Sequence, residues 1–155
     1  MNKILFVCIH NSGRSQMAEA FLNKYTDKAV AESAGFEPGK LNPIVVKVMA
    51  EEGIDISQNS CDSVFGFFKQ GKRFSHIITV CDEGAAERCP IFPGVTQRIH
   101  WSFEDPSSLE GSDEEKLTKT REIRDAIKEK VLQLIELLNS GTLKENASKE
   151  WKILG

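Results

Sequence analysis

The apolar run Ile4-Leu5-Phe6-Val7 passes directly into Cys8-Ile9-His10-Asn11-Ser12-Gly13-Arg14-Ser15, and residues 16–25 then carry Met17, Ala18, Phe21, Leu22 and Tyr25 at helical spacing. A continuous apolar run suits a parallel strand covered on both faces. The spacing that follows suits a helix with one buried side, with Glu19, Lys24 and Asp27 facing outward or toward the loop. A strand, a tight loop and a helix in that order restrict the chain to the α/β class, and they bring Cys8 to the carboxyl end of a strand, where open α/β sheets hold their ligands.

The loop has the composition of an oxyanion cradle. Backbone N–H groups of Ile9, His10, Asn11, Ser12 and Gly13, together with the free amides of the following helix, make a concave nest that favours an anion. Arg14, six residues after Cys8, adds a planar fork for two oxygens. The same positive surroundings favour the thiolate of Cys8, the form that attacks. Asn11 and Gly13 supply permissive backbone for a tight turn. A Cys-x5-Arg pair also arises by chance, and Cys8 alone reads as a small hydrophobe ending a strand. The strand before, the helix after and Ser15 beside the arginine favour the nucleophile.

The rest of the chain repeats the alternation. Residues 29–34 read as a second strand ended by Gly35, and Asn42-Pro43 as a helix start with Ile44, Val45, Val48 and Met49 buried and Gly53 just past the end. Residues 64–68 read as a short helix with Phe65, Phe67 and Phe68 in the core. Residues 76–80 form a third strand ending at Cys81, as the first ends at Cys8, and a polar stretch, residues 82–88, leads to Cys89-Pro90. Residues 95–101 are a fourth strand, whose following loop brings Glu104 and Asp105 to the same edge. Ser112 to Glu115 is a capping box opening an amphipathic helix to about residue 139. The expected architecture is one three-layer α/β domain, residues 1–155, on a four-stranded parallel sheet, with residues 140–155 as a C-terminal extension of illegible role.

Composition narrows the function. A net charge of −3 offers no broad basic surface, so any anion site is a local device and nucleic acid is not an expected partner. No stretch reaches membrane-spanning length, and the short N-terminal apolar run lacks the features of a signal peptide. A cytoplasmic monomer without a membrane partner is expected, in which the 4 cysteines are free thiols, catalytic groups or a cycling pair. Cys81 and Cys89 lack the Cys-x2-Cys or paired histidines of a zinc site, and Cys61 reads as a packed or partly exposed thiol. Were the segment between Cys81 and Cys89 a regular helix, the two would lie about 12 Å apart, against about 4.4–6.8 Å between the Cα atoms of a disulfide. A disulfide there requires residues 82–88 to change conformation on oxidation.

The run from Val7 to Glu19 resembles the phosphate-loop signature of low-molecular-weight protein tyrosine phosphatases, and more closely that of their thioredoxin-coupled arsenate reductase relatives, which Ser-Gln-Met-Ala-Glu favours. The resemblance continues through Ser33-Ala34-Gly35, Asn42-Pro43, residues 53–57, the Cys81 and Cys89 pair with Pro90, and Trp101 to Pro106, covering roughly residues 3–139. It implies a sheet of order 2-1-3-4 and reduction of arsenate to arsenite, with electrons from thioredoxin and no tightly bound cofactor. In that pattern Cys8 attacks arsenic held by the loop amides and Arg14, Ser15 hydrogen-bonds the sulfur, and Asp105 protonates the departing oxygen. Cys81 then attacks the arsenic-bound Cys8, and Cys89 attacks Cys81 to carry the disulfide outward. Some relatives bind potassium near the loop, at positions matching Asn11, Glu19, Ser33 and Asp62; here those groups suit either an ion or a hydrogen-bond brace. The chain departs from the family at His10, where glycine is frequent, and at Gly13, where cysteine is frequent, and the interval from Cys81 to Cys89 is slightly longer than in some relatives. The alternative reaction is hydrolysis of phosphomonoesters through a cysteinyl-phosphate, which needs Cys8, Arg14 and Asp105 but neither later cysteine. Pro106-Ser107-Ser108 lacks the paired tyrosines that follow the acid in many tyrosine phosphatases.

Overall fold

The computed structural model describes residues 2–81, 89–90, 92–95 and 97–140, together with the backbone of residues 151–153. Strand β1 (Asn2–Cys8) is followed by helix α1 (Arg14–Tyr25), β2 (Ala29–Gly35), α2 (Pro43–Glu51), α3 (Val64–Lys69), β3 (His76–Thr79), β4 (Gln97–His100), α4 (Asp113–Ser140) and β5 (Trp151–Ile153). A 3-10 turn, Pro106–Ser108, precedes α4. All pairings are parallel, in the order β2-β1-β3-β4-β5. The first four strands have the expected order 2-1-3-4. The fifth is an addition from the C-terminal extension: three residues are too few for a periodicity that sequence could reveal, yet they pair with Arg98, Ile99 and His100 of β4. Residues 82–88, for which a short polar stretch of one to two turns was expected, lie outside the described residues, as do residues 141–150.

The central strand explains the layering. Ile4, Leu5, Phe6 and Val7 are all 0% exposed. Alternate side chains of a strand point to opposite faces, so total burial of four in succession requires cover on both sides. Met17, Ala18, Phe21 and Leu22 bring α1 against the sheet, and α4 packs along both α1 and α2. Arg124 of α4 ties that layer together, donating to Val48 O at 3.0 Å and to Glu51 at 2.9 Å across the end of α2.

Helix ends follow their local signals. Asn42 Oδ1 accepts from Ile44 N at 3.0 Å with Pro43 at the first helical position, and Gly53 takes a φ of 75° just after α2. Ser112 Oγ accepts from Glu115 N at 3.2 Å and donates to the Glu115 carboxylate at 3.1 Å, capping the start of α4 through the expected pair of residues.

One expectation about the core is corrected. Phe67 is buried at 8% exposure, but Phe65 and Phe68 are 40% and 44% exposed. In a helix of only 6 residues, Val64 and Phe67 use the single inward stripe at three-residue spacing. Phe65 and Phe68 are left outward, resting on Phe36 and Phe92 with ring centroids 6.2 and 5.7 Å apart. Replacing Phe6, fully buried against Trp101, by alanine should therefore cost about 3–5 kcal/mol in urea unfolding. Phe68→Ala in the same assay should cost less than about 1 kcal/mol.

Candidate active site

Parallel pairing sets Cys8 opposite Gly35 of β2 and Val7 opposite Thr79 of β3, so Cys8 emerges at the carboxyl edge between two neighbours. The loop beyond it is held from outside. Phe36 N donates to Cys8 O (3.2 Å), Glu37 N to Ile9 O (2.8 Å), Gly39 N to His10 O (3.0 Å) and Asn42 N to Ser12 O (2.9 Å). In a planar trans peptide the C=O and the following N–H point oppositely. Carbonyls of Cys8, Ile9, His10 and Ser12 turned toward residues 36–42 therefore turn the amides of Ile9, His10, Asn11 and Gly13 the other way, into the loop. Asn11 N reaches Cys8 Sγ at 3.2 Å accordingly.

Gly35 makes this stitching possible. A Cβ there would stand 2.7 Å from Asn11 N and from Ile9 O, inside contact distance of the loop backbone. Asn11 itself adopts a φ of 55°, a region that asparagine tolerates better than most residues.

The sulfur is polarised by side chains as well. Ser15 Oγ is 2.9 Å from Cys8 Sγ, and Asn11 Nδ2 donates to Ser15 Oγ at 2.7 Å. Ser15 Oγ, which accepts from Asn11 Nδ2, can also donate its hydroxyl hydrogen to the sulfur, and the Asn11 amide donates to the same atom. Cys8 is 2% exposed. Gln16 Nε2 donates to Asn11 O, to Asn11 Oδ1 and to Ser60 O at 3.1, 3.2 and 2.8 Å, and Asn59 Nδ2 donates to Gln16 Oε1 at 3.0 Å. Asp62 N donates to Asn11 Oδ1 at 3.0 Å. The loop is thus clamped to residues 59–62 on its far side.

Arg14, 4% exposed, donates to Phe103 O at 3.0 Å, and its Nη2 lies 3.6 Å from Asp105 Oδ2. The other Asp105 oxygen accepts from Ser107 N (2.9 Å) and Ser107 Oγ (2.8 Å), which aims the carboxyl from the head of the 3-10 turn. Gly13 precedes α1 without a side-chain cap, leaving the first amides of that helix available to an anion. His10 Nδ1 donates to Glu37 O at 2.8 Å, at the exposed rim.

The later cysteines sit beyond β3. Cys81 is 0% and Cys89 5% exposed, and all four cysteines are free thiols. Burial pushes the Cys89 thiol up to about 12; the Arg98 guanidinium opposes this and neighbouring Cys81 adds to it. Cys61 is held above its ordinary value by burial, then by Asp62 and by Cys8.

Glu19, Ser33 and Asp62 line a polar cavity of about 330 Å³ with Gln16, Asn59 and Ser60. Ser33 Oγ donates to Glu19 Oε1 at 3.3 Å. Burial raises the Glu19 carboxyl to about 7, the Ser33 bond opposes this, and the charges of Glu32 and Asp62 raise it further. Asn11 Oδ1, by contrast, already accepts from both Gln16 and Asp62. Among the described residues no cluster of three or more His, Cys, Asp or Glu side chains is arranged to hold a metal, and no helix is long and apolar enough to cross a membrane.

The structure brings Cys8, Arg14, Ser15, Asp105 and the amides of residues 9–13 into one cradle, and gathers Glu19, Ser33 and Asp62 beside it. Sequence reasoning missed Gly35 as part of the cradle, Gln16 as its brace and the Phe103 carbonyl that holds Arg14. The signal for Gly35 was present, a glycine at the end of the strand that pairs with β1; the other two depend on contacts distant in sequence.

A thiol at the floor of an amide-lined loop, on the carboxyl edge of a parallel sheet, defines a class of α/β protein built to hold and attack oxyanions. The chain belongs to the low molecular weight phosphotyrosine protein phosphatase family, whose model matches residues 3–148. An arsenate reductase of Halalkalibacterium halodurans is 42% identical over 139 residues, 88% of this chain and 98% of the relative. Among solved structures, an arsenate reductase in the phosphate binding state has a TM-score of 0.72 at 31% identity, covering 88% of this chain and 98% of that one. A thioredoxin-dependent arsenate reductase of Corynebacterium glutamicum has a TM-score of 0.67 at 27% identity, covering 91% of this chain and 63% of that one.

Substituting Gly35 by alanine should displace the Ile9–Asn11 backbone and lower turnover of any oxyanion substrate by about 100-fold, while far-ultraviolet circular dichroism stays at the parental spectrum.

Proposed function

We propose that the protein reduces arsenate to arsenite through a three-cysteine relay recharged by thioredoxin. The observation that carries this reading is the pair of buried thiols, Cys81 and Cys89, beside the carboxyl edge that holds Cys8. Phosphoester hydrolysis has no use for them. The arsenate reductases among the similar proteins, one of them thioredoxin-dependent, support the same reading.

The chemistry proceeds in balanced steps. Arsenate, a tetrahedral anion like phosphate, enters the amides of residues 9–13 with Arg14 across two oxygens. Cys8 thiolate attacks arsenic, and the displaced oxygen leaves as water after protonation by Asp105. Cys81 thiolate then attacks the Cys8 sulfur. A disulfide forms, the sulfur–arsenic bonding pair stays on arsenic, and arsenic(V) departs as arsenic(III) in arsenite. Cys89 attacks Cys81, freeing Cys8, and the Cys81–Cys89 disulfide is reduced by the dithiol of thioredoxin. The burial that holds Cys89 protonated at rest keeps it from exchanging before Cys81 has been oxidised.

The second reading, hydrolysis of aryl phosphates, is favoured by the arrangement of Cys8, Arg14 and Asp105 alone. Arsenate turnover with thioredoxin, thioredoxin reductase and NADPH separates the two. Cys81→Ser and Cys89→Ser should each lower steady-state turnover by at least about 100-fold, and parental turnover in both would overturn the relay. Aryl-phosphate hydrolysis should vanish in Cys8→Ser and survive in the other two.

Potassium fits the cavity beside the loop through Glu19, Ser33 and Asp62, oxygen donors suited to a hard cation. Asn11 Oδ1 serves as a brace, because both its acceptor directions are taken. The bound ion would supply positive charge behind the loop and hold Glu19 ionised. Between the ordinary carboxylate value of 4.5 and about 7, the folded chain keeps a proton on Glu19 that the unfolded chain has released. Stability therefore falls as pH rises through that window, by about 3 kcal/mol in all. Urea unfolding at several pH values should show this fall in potassium-free buffer, and Glu19→Gln should flatten it. Potassium chloride should reduce the fall more than sodium chloride at equal ionic strength.

A further inference from the structure

Residues 36–39 lie along residues 8–10, and the backbone bonds between them run one way. Phe36 N donates to Cys8 O, Glu37 N to Ile9 O and Gly39 N to His10 O. Paired backbones ordinarily exchange bonds in both directions. Here the return direction is closed, because an N–H of Ile9, His10 or Asn11 turned toward residues 36–39 would be withdrawn from the anion site. His10 supplies the return bond from its side chain. Nδ1 lies 2.8 Å from Glu37 O, and a carbonyl oxygen only accepts, so the ring nitrogen carries the hydrogen and donates.

The root of the ring is held as well. A Cβ at Gly39 would stand 3.5 Å from His10 Cβ and 3.8 Å from its Cγ, so the side chain rests against Gly39 while its Nδ1 holds Glu37, and it grips the segment on both sides of Pro38. Nδ1–H is present in the imidazolium and in the neutral tautomer that this bond selects, so the grip persists in either state of the ring. His10 is exposed, and a solvated hydrogen bond adds little to global stability. Its leverage comes from its place, because the segment it holds is the one that orients the peptide planes of the cradle.

We infer that His10 is a positioning residue of the oxyanion cradle: by holding the Glu37 carbonyl through Nδ1, it fixes residues 36–39 against the loop and keeps the amides of Ile9, His10 and Asn11 aimed at the anion. The inference concerns the cradle that arsenate reduction and phosphoester hydrolysis share, and so stands apart from the choice between them.

The test compares His10→Asn with His10→Leu and His10→Gly. Asparagine Nδ2 is attached to Cγ, as imidazole Nδ1 is, and can donate to the same carbonyl, whereas leucine and glycine have no side-chain donor. The probe is inorganic phosphate, measured as an inhibitor of aryl-phosphate hydrolysis. His10→Leu and His10→Gly should bind phosphate about tenfold more weakly, the effect of one lost hydrogen bond, and His10→Asn should stay within about threefold of parental. In the hydrolysis itself the loss should fall mainly on KM, with kcat within about threefold, because the amides hold the anion before and during reaction. A second measurement needs no ligand. Amide hydrogen exchange at Glu37 and Gly39 should quicken about tenfold in His10→Leu and His10→Gly and stay near parental in His10→Asn. Should the leucine variant fail to fold, glycine, which brings no bulk, decides alone. Parental phosphate affinity and parental exchange in the variants without a donor would overturn the inference. So would an equal loss in His10→Asn, which would show that the donor is not what matters. A pH profile of kcat/KM that changes shape in His10→Asn while exchange stays parental would also overturn it, in favour of an electrostatic role for the ring.

Discussion

The outward pull on the loop carbonyls is the interaction on which the rest depends. An anion site built from backbone amides works only if the peptide planes are held in one orientation, because a free loop would rotate them toward water. Here residues 36–42 take the carbonyls of Cys8, Ile9, His10 and Ser12 as hydrogen-bond acceptors, so the cradle is oriented before any ligand arrives. Such preorganisation removes the reorganisation cost that would otherwise be paid as charge develops. The geometry follows from the sheet: β2 runs beside β1 in register, and its continuation past Gly35 passes alongside the loop.

A second set of bonds works from the other side. Asn11 bonds through its backbone, its amide nitrogen and its side-chain oxygen to Cys8, Ser15 and Asp62 respectively, and Gln16 spans from Asn11 to Ser60. The nucleophile, the brace and residues 59–62 therefore move together. Glu19 lies in the cavity behind this network.

Local features were legible in the sequence and distant ones were not. The strand through Val7, the helix beginning near Arg14, the Asn42 and Ser112 caps and the order of the first four strands follow from apolar runs, spacing and turn chemistry that act within a few residues. The cradle's composition was visible for the same reason. Its orientation was not, because it depends on Gly35 and residues 36–42 meeting residues 8–12 across the sheet. Phe65 and Phe68 show the limit of hydrophobicity as a guide: a helix too short to bury more than one stripe leaves them at the surface.

The short strand Trp151–Ile153 has a consequence for how the molecule keeps to itself. Without it, β4 would be the rim of the sheet, with a row of amides and carbonyls open to any extended chain. By occupying Arg98 to His100, the tail covers that rim and leaves an edge of only 3 residues outside it. A tail clipped before residue 151 would bare the rim, and the exposed backbone would then invite strand exchange between copies or aggregation through the sheet.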